Sequence, residues 1–195
     1  PKNYSKSYRG PVSLTEALSL SLNTVAAKLA DEVGPRAIIR SARKLGITSP
    51  MQSNLSIALG TSEVTPLEIA AAYVPFSNGG YAIVPHVIRS IRTSDGKLLY
   101  ARQGDGAGRV IDHSTLSDMN MMMAETLLTG TGRAAQLEGR PAGGKTGTSQ
   151  DFRDGWFIGY TGTFTTAVWL GNDNNSPTKR ATGGSLPAKI WKEVM

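Results

Sequence analysis

Residues 139–150, GRPAGGKTGTSQ, hold the side chains of this chain best suited to chemistry. Lys145 brings a cation, Thr146 and Thr148 bring hydroxyl donors, and Gly147 between them presents bare backbone. A cation beside hydroxyls suits a carboxylate. A glycine in an extended segment lets a peptide-like ligand lie along the strand and pair with its backbone. The amide of Thr148 is then a candidate half of an oxyanion hole. The same residues fit a second pattern, because Gly139 to Thr146 reads G-x-x-x-x-G-K-T, the spacing with which a nucleotide-binding loop surrounds phosphate.

The two chemistries need different surroundings. A phosphate loop is fed by a buried strand and opens a helix at its Lys-Thr, so that the positive helix end faces the anion. Upstream, TGTGRAAQLEGRP has no β-branched run and places Pro141 inside the loop; downstream, TGTSQDFRDGWFIGY is rich in β-formers and broken by glycine. Asp173, after VWLGN, would be the acidic strand end of this reading, but any apolar strand ending in a turn supplies one. The carboxylate reading asks for a strand at Lys145, and the downstream residues predict one.

Caps and turns outline the elements that must carry these residues. Ser13-Leu-Thr-Glu16 spells a capping box, with the serine accepting an orphan amide and the glutamate reaching back, and starts a helix through EALSLS. A second helix, TVAAKLADEV, closes at Gly34, which leaves Ser21-Leu22-Asn23 at the junction. Thr65-Pro66-Leu67-Glu68 launches PLEIAAAYVPFS, with Pro75 expected to kink its last turn and Asn78-Gly79-Gly80 to stop it. AIVPHVIRSI and KLLYAR flank Ser94-Asp95-Gly96, which predicts a peripheral two-stranded ribbon. DHSTLSDMNMMMAETLLTG reads as helix, its methionines at 119, 121, 122 and 123 as core filler. GKTGTSQ, DGWFIGYTG and TFTTAVWLGN read as three consecutive antiparallel strands, and SLPAKIWKEVM as a final helix with Ile190, Trp191 and Val194 on one face. Helices, then a strand meander, then a helix predict an α+β fold with an antiparallel sheet flanked by helices.

Composition narrows the function classes. The 195 residues make one domain or part of one, and no apolar run approaches a membrane span. The chain opens on Pro1 and closes inside a predicted helix, so both ends read as cuts. Without cysteine, disulfides, thiol catalysis and Cys-based zinc sites are excluded, and two histidines leave little for a metal cluster. A net charge of +6 favours anionic partners, be they nucleic acid, membrane phosphate or a carboxylate-bearing substrate. Its densest patch puts Arg36, Arg40, Arg43 and Lys44 on one helical face, opposite Ile38, Ala42 and Leu45, and reads as a solvated surface.

Lys145-Thr146-Gly147 has the K-T-G form, and Ser21-Leu22-Asn23 the S-x-N form, of two motifs shared by enzymes that acylate a serine. With LTEALSLSLNTVAAKLA, IALGTSEVTPLEIAAAYVPFSNGG, GKTGTSQDFRDGWFIGYT and AVWLGND following in order, the chain resembles the transpeptidase domain of class A penicillin-binding proteins over nearly its whole length. That resemblance implies the C-terminal portion of a single transpeptidase domain across residues 1–195, lacking the first strands of the sheet and the nucleophile helix. It implies catalytic roles for Ser21 in proton relay, Asn23 in orienting a substrate amide and Lys145 in the electrostatics of the cleft. Thr146, Gly147 and Thr148 would bind substrate. Stem peptides of peptidoglycan, β-lactam antibiotics and an upstream portion of the same protein are the implied partners, with no nucleic acid, no metal and no organic cofactor. The implied location is the periplasmic side of a bacterial inner membrane, anchored by a segment absent from this chain. The parent would cross-link the cell wall and so maintain cell shape.

The family's S-x-x-K, which carries the nucleophilic serine, has no counterpart before Ser21. Ser41-Ala42-Arg43-Lys44 fits the pattern but follows S-x-N, on the charged helix face. It reads as a decoy, and the fragment alone as inactive. D,D-carboxypeptidases and β-lactamases share these motifs, so hydrolysis stays open beside transfer. A non-catalytic peptide-binding or β-lactam-binding module is the alternative of another class, and nucleotide binding at Gly139–Thr146 the remote one. With the early strands of the sheet missing, three strands are further expected to have exposed edges and an uncovered apolar face.

Overall fold

The structure is a computed structural model that describes residues 1–104 and 106–195. Helices α1 (Leu14–Ser19), α2 (Asn23–Val33), α3 (Pro35–Lys44) and α4 (Pro66–Ser77) come first. Two small ribbons follow: β1 (Tyr81–Ala82) pairs with β4 (Gly108–Arg109), and β2 (Ser90–Arg92) with β3 (Leu98–Ala101). Then come α5 (His113–Leu128), the antiparallel meander β5 (Gly143–Thr148), β6 (Asp154–Tyr160) and β7 (Thr165–Gly171), and α6 (Leu186–Val194). The fold is α+β, with three strands in the main sheet and helices around it.

The helix starts follow their caps. Thr65 and Glu68 form the reciprocal box ahead of α4, and the Glu68 carboxylate also accepts from Thr48 and Ser49, which ties that loop to the helix. These donors hold its pKa well below the usual carboxylate range. At α1 only half of the expected box forms. Ser13 accepts from the Glu16 amide at 3.1 Å, but the Glu16 side chain pairs with Arg9 instead of reaching back. A nearby guanidinium offers a carboxylate more than a lone amide does.

Strand alternation divides the main sheet into two faces. Phe157 and Gly159 face α6: Phe157 and Trp191 pack edge to face at 5.2 Å between centroids, and a Cβ on Gly159 would lie 2.8 Å from the Trp191 ring. Leu127, Ala135 and Ala188 complete this core. Tyr160, on the other face, stacks with Phe76 of α4 and packs with Leu116 and Met123 of α5. Helices therefore cover both faces, and among the described residues the expected uncovered apolar face is not found, though Trp169 stays 37% exposed.

Three further expectations are corrected. Val194 is 65% exposed, because the buried stripe of α6 runs through Ala188 and Trp191 to Met195, which packs on the same core and meets Thr166 of β7, and position 194 falls beside that stripe. Met121 is 59% exposed while Met123 is buried and Met119 packs on the core, since four methionines so close together cannot share one helical face. Of AIVPHVIRSI only Ser90–Ile91 and Ala82 lie in strands, with Pro85 between them interrupting any ladder.

Candidate active site

The S-x-N segment is built by a backbone conformation that its composition does not announce. After α1 the chain turns, and Ser21 takes a left-handed φ of 53° with its amide donating to the Leu18 carbonyl. A non-glycine residue there costs about 1–2 kcal/mol. The turn aims the Ser21 hydroxyl at β5, where it accepts from Lys145 Nζ at 2.8 Å, across 124 residues of sequence. Lys145 Nζ also donates to the Thr146 carbonyl at 3.0 Å. With no carboxylate partner among the described residues, the ammonium is stripped of much of its water, and this desolvation pulls its pKa from 10.5 down to about 8.

β5 is an edge strand among the described residues. Ser149 donates its amide to the Asp154 carbonyl, directly opposite in register, so the alternation of an antiparallel ladder turns the backbone groups of Thr146 and Thr148 to the free edge. The Thr148 amide is thus free for an incoming oxygen. The side chains alternate too: Lys145 and Gly147 face the Ser21 side, Thr146 and Thr148 the other. Thr146 shares a hydrogen bond with Thr131 at 2.6 Å between hydroxyls. Thr148 accepts from the Gly183 amide at 3.0 Å, which leaves its own proton to donate. A Cβ at Gly183 would lie 2.2 Å from the Trp156 carbonyl and 2.5 Å from that of Gly147, so only glycine lets this turn lie on the strand.

Asn23 is the first residue of α2, and its amide donates to the Lys2 carbonyl at 2.9 Å, beside Asn3, whose Oδ1 accepts from Thr24. The fold therefore joins Ser21 directly to Lys145 and sets Asn23 against the N-terminal segment. Sequence reasoning missed Thr131, Gly183 and Asn3. The TGTG turn and the double glycine were the available signals, but both read as ordinary turn composition.

Lys145 and Thr146 lie inside a strand, with a 3-10 turn at Gln150–Phe152 after it and no helix opening at either residue. Gly139 is exposed and Asp173 sits in an exposed turn after β7, so the phosphate-loop arrangement is not formed. Ser41 and Lys44 are exposed on α3, which packs against α2 and the 3-10 turn Leu55–Leu59. Among the described residues no three His, Asp or Glu side chains converge as metal ligands, and no helix is long and apolar enough to cross a membrane.

The family model for the penicillin binding protein transpeptidase domain matches residues 2–195. The chain belongs to this transpeptidase family. It is 37% identical to penicillin-binding protein 1A of Neisseria gonorrhoeae and 36% identical to that of Aquifex aeolicus, in each case over the whole of this chain. It spans only 25% and 27% of their lengths. Among solved structures it resembles PonA1 of Mycobacterium tuberculosis (TM-score 0.87, 27% identity, 96% of this chain and 55% of that one). PonA1 has also been solved in complex with penicillin V. Penicillin-binding protein 1A of Haemophilus influenzae gives a TM-score of 0.85 at 25% identity, over 99% of this chain and 35% of the other. In this transpeptidase domain the chain supplies an edge strand, a half-buried lysine and a serine held against it.

Proposed function

We propose that this chain furnishes the S-x-N and K-T-G walls of a penicillin-sensitive peptidoglycan D,D-transpeptidase, whose nucleophilic serine comes from an upstream part of the same protein. The observation that carries the reading is the 2.8 Å contact between Lys145 Nζ and Ser21 Oγ, made by a lysine whose surroundings lower its pKa. A structural lysine gains little from such a position, whereas a site that handles protons and anions needs one.

In this reading the terminal carboxylate of a stem peptide meets the charge of Lys145 and the hydroxyls of Thr146 and Thr148. The peptide runs along the free edge of β5 past Gly147. The upstream serine gives its proton to the upstream lysine as its oxygen attacks the carbonyl carbon of the penultimate D-alanine, and the developing oxyanion accepts from the Thr148 amide. The C–N bond to the terminal D-alanine then breaks, and its nitrogen takes a proton that Ser21 relays from the upstream lysine. An amine of a neighbouring peptide attacks the ester carbonyl, forms the new amide and returns the proton, which frees the serine. Asn23 orients the amide of the substrate. A β-lactam carbonyl acylates the same serine. The protein works on the periplasmic side of the inner membrane, held there by a segment outside these residues, and this chain alone has no acyl transfer.

Intact-mass spectrometry with benzylpenicillin tests this reading. The protein with its upstream segment gains one drug mass on a serine before Ser21, while the 195-residue chain gains none. A drug mass on Ser41 would overturn the assignment. Release of the acyl group to water alone, with no amine acceptor used, would point to a carboxypeptidase or β-lactamase, and no acylation to a binding module.

A further inference from the structure

Thr131 lies in the turn after α5, outside both sequence motifs, yet it touches the elements that carry each of them. Its amide donates to the Ser19 carbonyl at 3.0 Å, two residues before Ser21. Its carbonyl is packed by Gly184, where a Cβ would come within 2.3 Å. Gly130 before it approaches Ser19 so closely that a Cβ would lie 2.3 Å from that carbonyl, and Gly132 after it would meet the Phe157 ring at 3.1 Å. The backbone is thus clamped between the end of α1, the core and the turn around Gly183. A β-branched side chain on a fixed backbone has little rotamer freedom, and this one places its hydroxyl 2.6 Å from that of Thr146.

Two hydroxyls in contact share one hydrogen, and which oxygen keeps a free proton decides what the pair can bind. Thr131 is exposed, so its oxygen can take water on its solvent side, while Thr146 sits on the strand beside Lys145. With Thr131 as donor, the Thr146 proton points outward and an anion can accept it. The Gly183 amide does the same for Thr148, since it occupies the hydroxyl oxygen and leaves the hydrogen. In that arrangement both hydroxyls that follow the lysine are donors.

We propose that Thr131 is a positioning residue for carboxylate recognition, which fixes the Thr146 hydroxyl as a donor to the carboxylate of a peptide or β-lactam and locks the S-x-N turn to the same strand. This rests on the transpeptidase reading above. A donor chain of this kind strengthens each bond in it, and a hydrogen bond to a charged group is among the stronger ones.

The test uses the full-length protein and two probes, benzylpenicillin and its methyl ester, which lacks the free carboxylate. Intact-mass time courses give the second-order acylation rate for the wild type, Thr131→Val, Thr131→Ala and Thr131→Ser. Thr131→Val and Thr131→Ala lose roughly tenfold or more with benzylpenicillin, the effect of one such bond, and stay within about twofold with the ester, while Thr131→Ser keeps both rates. Equal losses with both probes, or loss of folding in both the Val and the Ala variants, would mean a purely structural threonine and overturn the proposal. So would unchanged rates. Wild-type protein acylated by neither probe would overturn the transpeptidase reading, and the positioning role with it.

Discussion

Two serine-lysine pairs of this chain, Ser41 with Lys44 and Ser21 with Lys145, differ instructively. Ser41 and Lys44 are three residues apart on one helix, as a sequence pattern requires, and both are exposed. Ser21 and Lys145 are 124 residues apart and meet at 2.8 Å, with the serine in a left-handed turn and the lysine short of water. Proximity in sequence costs nothing and changes little about a lysine. Proximity imposed by the fold removes solvent from the ammonium and holds the hydroxyl at one angle, and those are the conditions that alter its chemistry.

The largest effect should separate the two lysines. On the transpeptidase reading, Lys145→Met in the full-length protein is expected to lower benzylpenicillin acylation by about 10²–10³-fold, the scale of losing one preorganised charge-stabilising group. Lys44→Met should change the same mass-spectrometric rate by less than about twofold, as surface substitutions do. A comparable loss at Lys44 would break the comparison.

The next effect lies in the pH dependence of stability. Lys145 has a folded pKa near 8 and an unfolded one near 10.5. Below pH 8 both states carry the proton and the folded state bears the full cost of a poorly solvated charge. Between 8 and 10.5 the unfolded state binds more protons, so stability rises with pH, by up to about 3 kcal/mol for this group. Urea titrations of the wild type and Lys145→Met across that window should show the wild type gaining on the variant.

Smaller still is the backbone term at Ser21. Ser21→Ala keeps the strained φ and Ser21→Gly relieves it, so the glycine variant should be the more stable by about 1 kcal/mol in denaturant melts. Both lose the hydroxyl, and both should lose acylation alike. Ser41→Ala, on a regular helix, should stay within about 0.5 kcal/mol of the wild type in the same melts. A Ser21→Ala as stable as Ser21→Gly would mean that the turn carries no strain.

Most elements were legible in the sequence because their signals are local. The Thr65–Glu68 box, the Gly34 stop and the glycine-broken run of β-formers each settle a few dihedrals within one or two turns of chain, and α2, α4 and the β5–β6–β7 meander follow them. Where a local signal competed with a distant partner it failed, as at Glu16, which took Arg9 in place of its cap. The K-T-G and S-x-N residues could be named because residue type alone restricts who can bind a carboxylate or pass a proton. Thr131 and Gly183 could not be, since a threonine between glycines and a glycine pair look the same in any turn.

The sequence by itself determined most of the elements, the family they belong to and the residue types at the cleft, since propensity, capping and side-chain chemistry are properties of short stretches. Only the tertiary structure decided which serine meets which lysine, which strand edge stays open and which glycines lie against it. Those depend on contacts 15 to 124 residues apart, and on the water such contacts exclude, which no window of sequence contains.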